Sequence, residues 1–238
     1  MLKRSFSNII LSHMWLNENR NKCFLTFFAI CCLLTQVVAV HAQEKQVSDF
    51  KRIKKSMNSL SFLTPYVIIH AIGNGTATVD KAQTDTVGLW VNKQVTSMLQ
   101  GKYSLMNVPV QWDSGISQMD SLFALLDSSG KILPVIPTPL WLQPTDTDSS
   151  RYALIIFMKG NYHQGYEPYY GIRQSMAANT IRIGSSALSG TTMSIIITDK
   201  LSNTILYYRT IASRRYDPRI RADINQLTST ILKHIYYR

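Results

Sequence analysis

The chain has 238 residues, with 25 Lys and Arg against 14 Asp and Glu and a formal net charge of +11. Its content of 45% hydrophobic and 16% charged residues is enough to bury a core, which excludes a wholly disordered chain. The length predicts one domain, and no apolar run after residue 40 could span a bilayer, which excludes a polytopic membrane protein.

The first 42 residues have the pattern of a secretory signal peptide. A basic region is followed by the uncharged run FLTFFAICCLLTQVVAV at residues 24–40 and then by the small residue Ala42. We therefore predict cleavage after Ala42 and a mature chain that begins at Gln43. The alternative is an inner-membrane anchor formed by uncleaved residues 24–40. The basic region is long, and a start at Met14 would give a more usual one.

All three cysteines, Cys23, Cys31 and Cys32, fall within this leader. The mature chain would hold no disulfide, no thiolate nucleophile and no cysteine ligand for zinc. Cys31 and Cys32 lie in the middle of the apolar run rather than at its end, so a lipoprotein is not expected. The predicted location is the periplasm or an association with the outer membrane, reached by export.

The first half of the mature chain alternates helical and extended patterns. Residues 43–60 are basic and predict a short amphipathic helix or a linker, because apolar side chains recur at helical spacing from Phe50. Residues 65–72 predict a strand, and residues 84–100 predict a helix capped by Thr84 to Thr86. A strand at 103–110 and a helix capped by Asp113 and Ser114 follow.

The second half begins with a proline-rich loop at residues 133–150, which carries Trp141. Residues 152–158 (YALIIFM) are continuously apolar and predict a central strand covered on both faces. A short strand at 181–185 and a hairpin of 193–198 with 205–211 come next. The last helix is predicted to begin at Asp217 and Pro218, with a stripe of apolar side chains from Ile220 to Ile235.

Taken together, these elements predict an α/β (α+β) fold, with a single mixed-sheet domain at residues 61–238. The sheet is expected to have five to six strands, with helices packed on it. Residues 1–42 are the predicted signal peptide, and residues 43–60 are the basic amphipathic segment or linker between the two.

The positive charge of the mature chain is confined to its two ends. Residues 43–60 carry a net charge of +3, residues 61–208 carry none and residues 209–238 carry +5. A nucleic-acid-binding domain would more often carry a basic patch on its body, so no nucleic-acid partner is expected. An acidic envelope protein or an anionic membrane surface fits the pattern better. The alternative is that the terminal charges only aid solubility, and the oligomeric state is left open.

Patterns that carry chemistry are absent from the sequence. There is no G-x-S-x-G motif and no Walker loop, and Gly73-Asn74-Gly75 lacks the third glycine of a dinucleotide fingerprint. The mature histidines, His70, His163 and His234, are far apart in the sequence. We therefore expect no enzyme activity, no cofactor and no metal.

Two features are candidates for partner binding. Residues 161–171 contain four tyrosines in a turn-rich setting, and these form either a binding tip or the end of a long hairpin with the rings on the sheet: Tyr162, Tyr166, Tyr169 and Tyr170. Four arginines lie just before and at the start of the last helix: Arg214, Arg215, Arg219 and Arg221. Because a helix N-terminus disfavours cations, we hypothesise that the arginines serve a partner, unless Asp217 and Asp223 neutralise part of them.

Three stretches together resemble a family of bacterial envelope domains. They are VGLWVNKQVTSMLQGKYSLMNVPV, RYALIIFMKGNY and TMSIIITDKLSNTILYYR leading into the last helix. The order of elements is similar to that of the periplasmic domain of the curli-secretion-pore lipoprotein and related envelope-assembly lipoproteins. The resemblance covers about residues 62–236 and implies a role in assembly or scaffolding without catalytic residues. This chain lacks the lipidation cysteine of those proteins.

The function predicted from the sequence is that of a non-enzymatic exported envelope protein, an assembly or scaffolding factor. It would bind another protein or the membrane surface. The alternative is a periplasmic hydrolase or a small-ligand-binding domain that uses loop 161–171 as the rim of a pocket.

Overall fold

The computed structural model describes residues 41–110, 112, 116–139, 150–165 and 189–236. Within them lie eight strands: β1 (His41–Gln46), β2 (Ser59–Leu63), β3 (Tyr66–Gly73), β4 (Thr76–Val79), β5 (Ser104–Val108), β6 (Tyr152–His163), β7 (Gly190–Asp199) and β8 (Thr204–Ser213). The same residues contain four helices: α1 (Phe50–Ser56), α2 (Lys81–Leu99), α3 (Ile116–Ser128) and α4 (Arg221–Tyr236). The predicted α/β class is confirmed, but the predicted count of five to six strands is too low.

The eight strands form one mixed sheet around β6. The order β1-β8-β7-β6 is antiparallel throughout. On its other side β6 pairs in parallel with two successive strands, first with β2 and then with β3. Beyond them, β5 pairs in parallel with β2, and β4 pairs with β3 through a two-residue turn. That turn uses Asn74 (φ 50°) and Gly75 (φ 78°), the left-handed conformations that a tight hairpin turn requires.

The apolar strand β6 is central, as predicted, and its side chains enter a core on each face of the sheet. Leu154, Ile156 and Met158 point to one face, while Ala153, Ile155 and Phe157 point to the other. All six are buried. This alternation in a wholly apolar strand is the pattern of a strand covered on both faces.

The helices cover the two faces unequally. On the first face, α2 and α4 pack against the sheet and each other through residues spaced three to four apart, among them Val87, Val91, Ile224, Leu227 and Ile231. Helix α1 adds Phe50, whose ring stacks on Tyr207 with centroids 4.8 Å apart. On the second face α3 packs through Met119, Leu122 and Leu126.

Residues 43–60 contribute directly to this fold instead of acting only as a linker. Residues 43–46 belong to β1, which pairs with β8, and residues 50–56 form α1. Lys45 is only 7% exposed because its ammonium group lies against the C-terminal end of α3. Leu60, the last residue of this segment, is buried in β2 instead of continuing the predicted helix.

Two helices begin at residues other than those predicted. Helix α2 begins three residues earlier than predicted, because the side chain of Asp80 accepts a hydrogen bond from the Gln83 backbone at 3.0 Å. Helix α4 begins at Arg221 rather than at Pro218, and residues 217–220 form a turn before it. The predicted strand at 181–185, Trp141 and the leader up to residue 40 lie outside the described residues, so the cleavage site remains a prediction.

Candidate functional site

Tyr162 and Arg219, two of the predicted binding residues, meet at one end of the sheet. Tyr162 lies near the end of β6, and the guanidinium carbon of Arg219 is 4.7 Å from the centre of its ring. The Tyr162 hydroxyl donates a hydrogen bond to Oδ2 of Asp80, the cap of α2, at 2.5 Å. The contacts join β6 to the starts of α2 and α4, and we call these three residues with Asp217 the Tyr162–Arg219 cluster.

Arg219 is held in this cluster by a paired contact with Asp217. Its Nε donates to Oδ1 at 3.0 Å and its Nη2 donates to Oδ2 at 2.8 Å. The two side chains are 15% and 5% exposed, so the pair is largely shielded from water. Such a bidentate contact fixes the direction of the guanidinium. The alternative that Asp217 neutralises part of the arginine group therefore applies to Arg219, which the fold itself uses.

A glycine in the sheet makes room for the turn that carries Arg219. A Cβ atom on Gly160 would lie 2.8 Å from Cδ1 of Ile69, closer than real side-chain contacts, and 3.0 Å from Cβ of Pro218, which is tighter than most. The turn is also fastened by Gln83, whose side-chain amide donates to the Pro218 carbonyl at 2.9 Å. The turn from residue 217 to 220 is thus seated directly on β6.

The other three arginines have exposed side chains at the same end of the molecule. Arg214 and Arg215 follow β8, and Arg221 is the first residue of α4. Among the residues that the structure describes, none of the acidic side chains forms an ion pair with these three arginines. The structure therefore divides the predicted group into one arginine that supports the fold and three that face the solvent.

The electrostatics of the cluster favour positioning over proton transfer. The backbone N–H of Gln83 and the hydroxyl of Tyr162 lower the pKa of Asp80. Burial, reinforced by the hydrogen bond to Asp80, raises the pKa of Tyr162 to about 12. At neutral pH the pair is a neutral phenol that donates to a carboxylate, and Tyr162 has no tendency to act as a base. Burial also raises the pKa of Asp223.

The structure describes the tyrosine-rich loop only up to Gly165. Asn161, Tyr162 and His163 belong to β6, and the backbone of Gln164 donates to the Ile72 carbonyl at 2.8 Å. Tyr166, Tyr169 and Tyr170 lie outside the described residues. The prediction of a binding tip and its pocket-rim alternative are therefore untested beyond Gly165.

Asp80 is the residue of the cluster that the sequence interpretation missed. A signal was available, because Asp80 with Gln83 has the spacing of a capping box, in which a polar residue precedes Glu or Gln by three positions. The observed contact is the one from the Gln83 backbone to the Asp80 side chain. By contrast, the approach of Tyr162 to Asp80 depends on the register of β3 against β6, which no local pattern indicates.

The described residues contain no group of three or more His, Cys, Asp or Glu side chains placed to hold a metal ion. None of their helices is long and apolar enough to cross a membrane.

Comparisons with known proteins add no family assignment. No family model and no curated protein matches the chain. Among solved structures, the PelC dodecamer from Paraburkholderia phytofirmans is similar at a TM-score of 0.39 and 8% identity, over 84% of this chain and 99% of that chain. A PDZ domain protein from Parabacteroides distasonis is similar at a TM-score of 0.38 and 13% identity, over 84% of this chain and 36% of that chain. At these values the function has to be argued from the geometry alone.

Proposed function

We propose that this chain is a non-enzymatic exported envelope protein that binds an acidic protein or an anionic membrane surface. The binding surface is the exposed arginine group of Arg214, Arg215 and Arg221. The Tyr162–Arg219 cluster is the rigid support from which these side chains project. The single observation that carries the proposal is that all three cations are exposed and that none forms an ion pair with an acidic side chain of the described residues.

The contacts of other cations near the chain ends support the choice of the exposed arginines as the binding surface. The fold employs two of them to satisfy helix C-terminal carbonyls, which attract positive charge. Lys45 donates to the end of α3, and Lys54 donates to the His234 carbonyl of α4 at 2.8 Å. The basic ends of the sequence are therefore partly structural, and the exposed arginines stand apart from that use.

Helix electrostatics give a second line of support. The N-terminus of α4 carries a partial positive charge, so Arg221 in its first turn costs a few tenths of a kcal/mol. Asp223 in the same turn accepts a hydrogen bond from the Asp217 backbone at 3.0 Å and is the acid that the helix favours there. The stability of α4 therefore does not explain a cation at its N-terminus, whereas binding to an anionic partner would.

A binding role is also favoured over catalysis by the state of the cluster. Tyr162 keeps its proton at neutral pH, and Asp80 is occupied by two hydrogen-bond donors. Both residues hold elements in place. The absence of enzyme activity is part of the proposal and can be tested separately with the purified protein.

The experiment compares two triple variants that change the charge equally. Arg214→Gln, Arg215→Gln and Arg221→Gln remove the proposed surface. The matched control replaces three exposed lysines elsewhere, Lys55, Lys93 and Lys131, by Gln. Binding is measured by co-sedimentation with phosphatidylglycerol-containing vesicles at low and high salt, and by crosslinking from Ala222 in native envelopes.

The expected result is that the arginine variant loses binding to vesicles or the crosslink to an acidic protein, while the lysine control keeps it. The thermal stability of the arginine variant should be unchanged or slightly higher. Equal losses of binding in both triple variants would show that only net charge matters, which would contradict the proposed arginine surface. Unchanged binding in the arginine variant would refute the proposal.

A further inference from the structure

The exposed arginine group belongs to a part of the chain in which the cations differ in kind from those before it. Residues 43–208 contain ten lysines and four arginines, whereas residues 209–232 contain five arginines and no lysine. A guanidinium presents a planar fork of donors that fits the two oxygens of a carboxylate, while an ammonium acts as a point charge. Lysine would supply the same net charge. The uniform use of arginine therefore indicates recognition of individual oxyanions by their geometry.

Three of these guanidinium forks are available to a partner. The side chains of Arg214, Arg215 and Arg221 are exposed, and none of them forms an ion pair with an acidic side chain of the described residues. Arg219 differs, because its fork is already filled by the two carboxylate oxygens of Asp217. The same short stretch of chain therefore contains one completed arginine–carboxylate pair and three arginines that are open to the same kind of contact.

The backbone that carries these arginines is held by neighbouring strands. The N–H of Arg215 donates to the hydroxyl of Ser213, the last residue of β8, at 3.0 Å. The carbonyl of Tyr216 accepts a hydrogen bond from the Thr191 hydroxyl of β7 at 2.8 Å, and residues 217–220 are seated on β6. A fixed backbone reduces the ordering cost of binding a partner whose acidic groups are also fixed. Lipid headgroups diffuse within the bilayer, so a membrane gains less from such fixed positions.

The apolar side chains that could enter a bilayer lie elsewhere in the molecule. Among the described residues, the most exposed large apolar side chains are Val135, Leu201 and Ile132. They lie around the start of β8, whereas the exposed arginine group follows its other end. The exposed Val79 lies on β4, which three strands separate from β8. Three cations without inserted apolar groups raise the affinity for an anionic bilayer by only about a hundredfold, which falls short of stable attachment.

We propose that the exposed arginine group recognises Asp and Glu side chains of an acidic protein, each carboxylate being held by both arms of a guanidinium fork. This inference rests on the proposed function and narrows its partner from an anionic surface in general to a protein. The contacts would repeat, between two molecules, the pairing that Arg219 makes with Asp217 within the chain. The binding therefore depends on the shape of the cation as well as on its charge.

The test compares two triple variants of the purified protein. Arg214→Lys, Arg215→Lys and Arg221→Lys keep the charge and remove the forks, and Gln at the same three positions removes both. Binding of a labelled octaglutamate peptide is measured by fluorescence anisotropy, and binding of phosphatidylglycerol vesicles by co-sedimentation. The Lys variant should bind the peptide about tenfold more weakly than the wild type and the vesicles about equally. Arg52→Lys, at an exposed arginine of α1, is the matched control and should bind the peptide like the wild type.

Two results would overturn this inference and leave the proposed function standing. The first is a Lys variant that binds octaglutamate as tightly as the wild type, because charge alone would then suffice. The second is a wild type that binds the vesicles but not octaglutamate, which would assign the surface to the membrane. If the Gln variant binds both probes like the wild type, or the wild type binds neither, the proposed function itself fails. Because the three side chains are exposed, both variants are expected to fold, which circular dichroism verifies.

Discussion

Replacement of Lys45 by methionine tests whether a buried ammonium group holds the edge strand β1 to α3. Its Nζ donates to the carbonyls of Leu126, Asp127 and Ser129 at 2.6, 2.6 and 2.5 Å, which uses all three of its protons. Methionine retains a similar apolar stem and removes the charge and the donors. The change therefore isolates the polar contact from the packing.

The expected loss can be worked out from the three contacts. The contact with the Leu126 carbonyl is buried, and leaving that acceptor unsatisfied costs about 1–3 kcal/mol. The other two carbonyls are partly accessible to water and contribute less. Removal of a cation from a helix C-terminus adds about 0.3–1 kcal/mol, and relief of the buried charge offsets part of the loss. The free energy of unfolding should therefore fall by about 2 kcal/mol, or about 4–8 °C in Tm for a domain of this size.

Urea denaturation of the wild type, Lys45→Met and Lys55→Met measures this loss. Lys55 is an exposed lysine on α1, so its replacement by methionine should change stability by less than about 0.5 kcal/mol. The reasoning is refuted if Lys45→Met is as stable as Lys55→Met, with the same slope against urea. In that case the three carbonyls are satisfied by water and the ammonium contributes nothing.

Three further predictions concern other parts of the molecule. Ile231→Asp should unfold the domain, because a fully buried side chain worth about 1.5–3 kcal/mol is replaced by a carboxylate, whereas the exposed Gln226→Asp on the same helix should melt like the wild type by circular dichroism. Tyr162→Phe should cost about 1 kcal/mol through the lost hydrogen bond to Asp80. Because the folded-state pKa of Tyr162 is raised to about 12, its contribution is present below pH 10 and is lost as the pH rises through 12, so the wild type should lose its advantage over the variant there; a constant difference up to pH 12 would contradict this. N-terminal sequencing of the protein from its native envelope should find Gln43 first, and an intact leader on a membrane-bound form would contradict the predicted cleavage.

The elements that could be predicted are those in which the buried side chains form a regular pattern of hydrophobic residues along the sequence. Ile224, Leu227 and Ile231 recur at helical spacing and are all fully buried in α4. The unbroken apolar run of β6 likewise indicated a strand covered on both faces. In both cases one side-chain property, hydrophobicity, was sufficient to identify the element and its place in the core.

The elements that were missed are held by contacts that hydrophobicity does not report. Strand β1 is polar, and its buried side chain, Lys45, is stabilised by carbonyls from a distant helix. Strand β4 is four residues long and fully exposed, and β2 has only five residues. Neither strand is therefore long enough to show a recognisable hydrophobic alternation. The Tyr162–Arg219 contact required the register of the sheet and the room left by Gly160, neither of which is encoded within a local window.

The pairing of β6 with two successive strands also protects the protein from edge-to-edge association. A strand of 12 residues would otherwise place a neighbour of similar length at the margin of the sheet, and long open margins recruit strands from other molecules. Because β2 and β3 divide the length of β6, the last strands on this side among the described residues are β5 and β4, of five and four residues. Short edge strands are one of the means by which native sheets limit pairing with other chains. Within the described residues, the division of the parallel partner of β6 into β2 and β3 therefore lets a highly apolar central strand lie in the sheet without a long edge strand on that side.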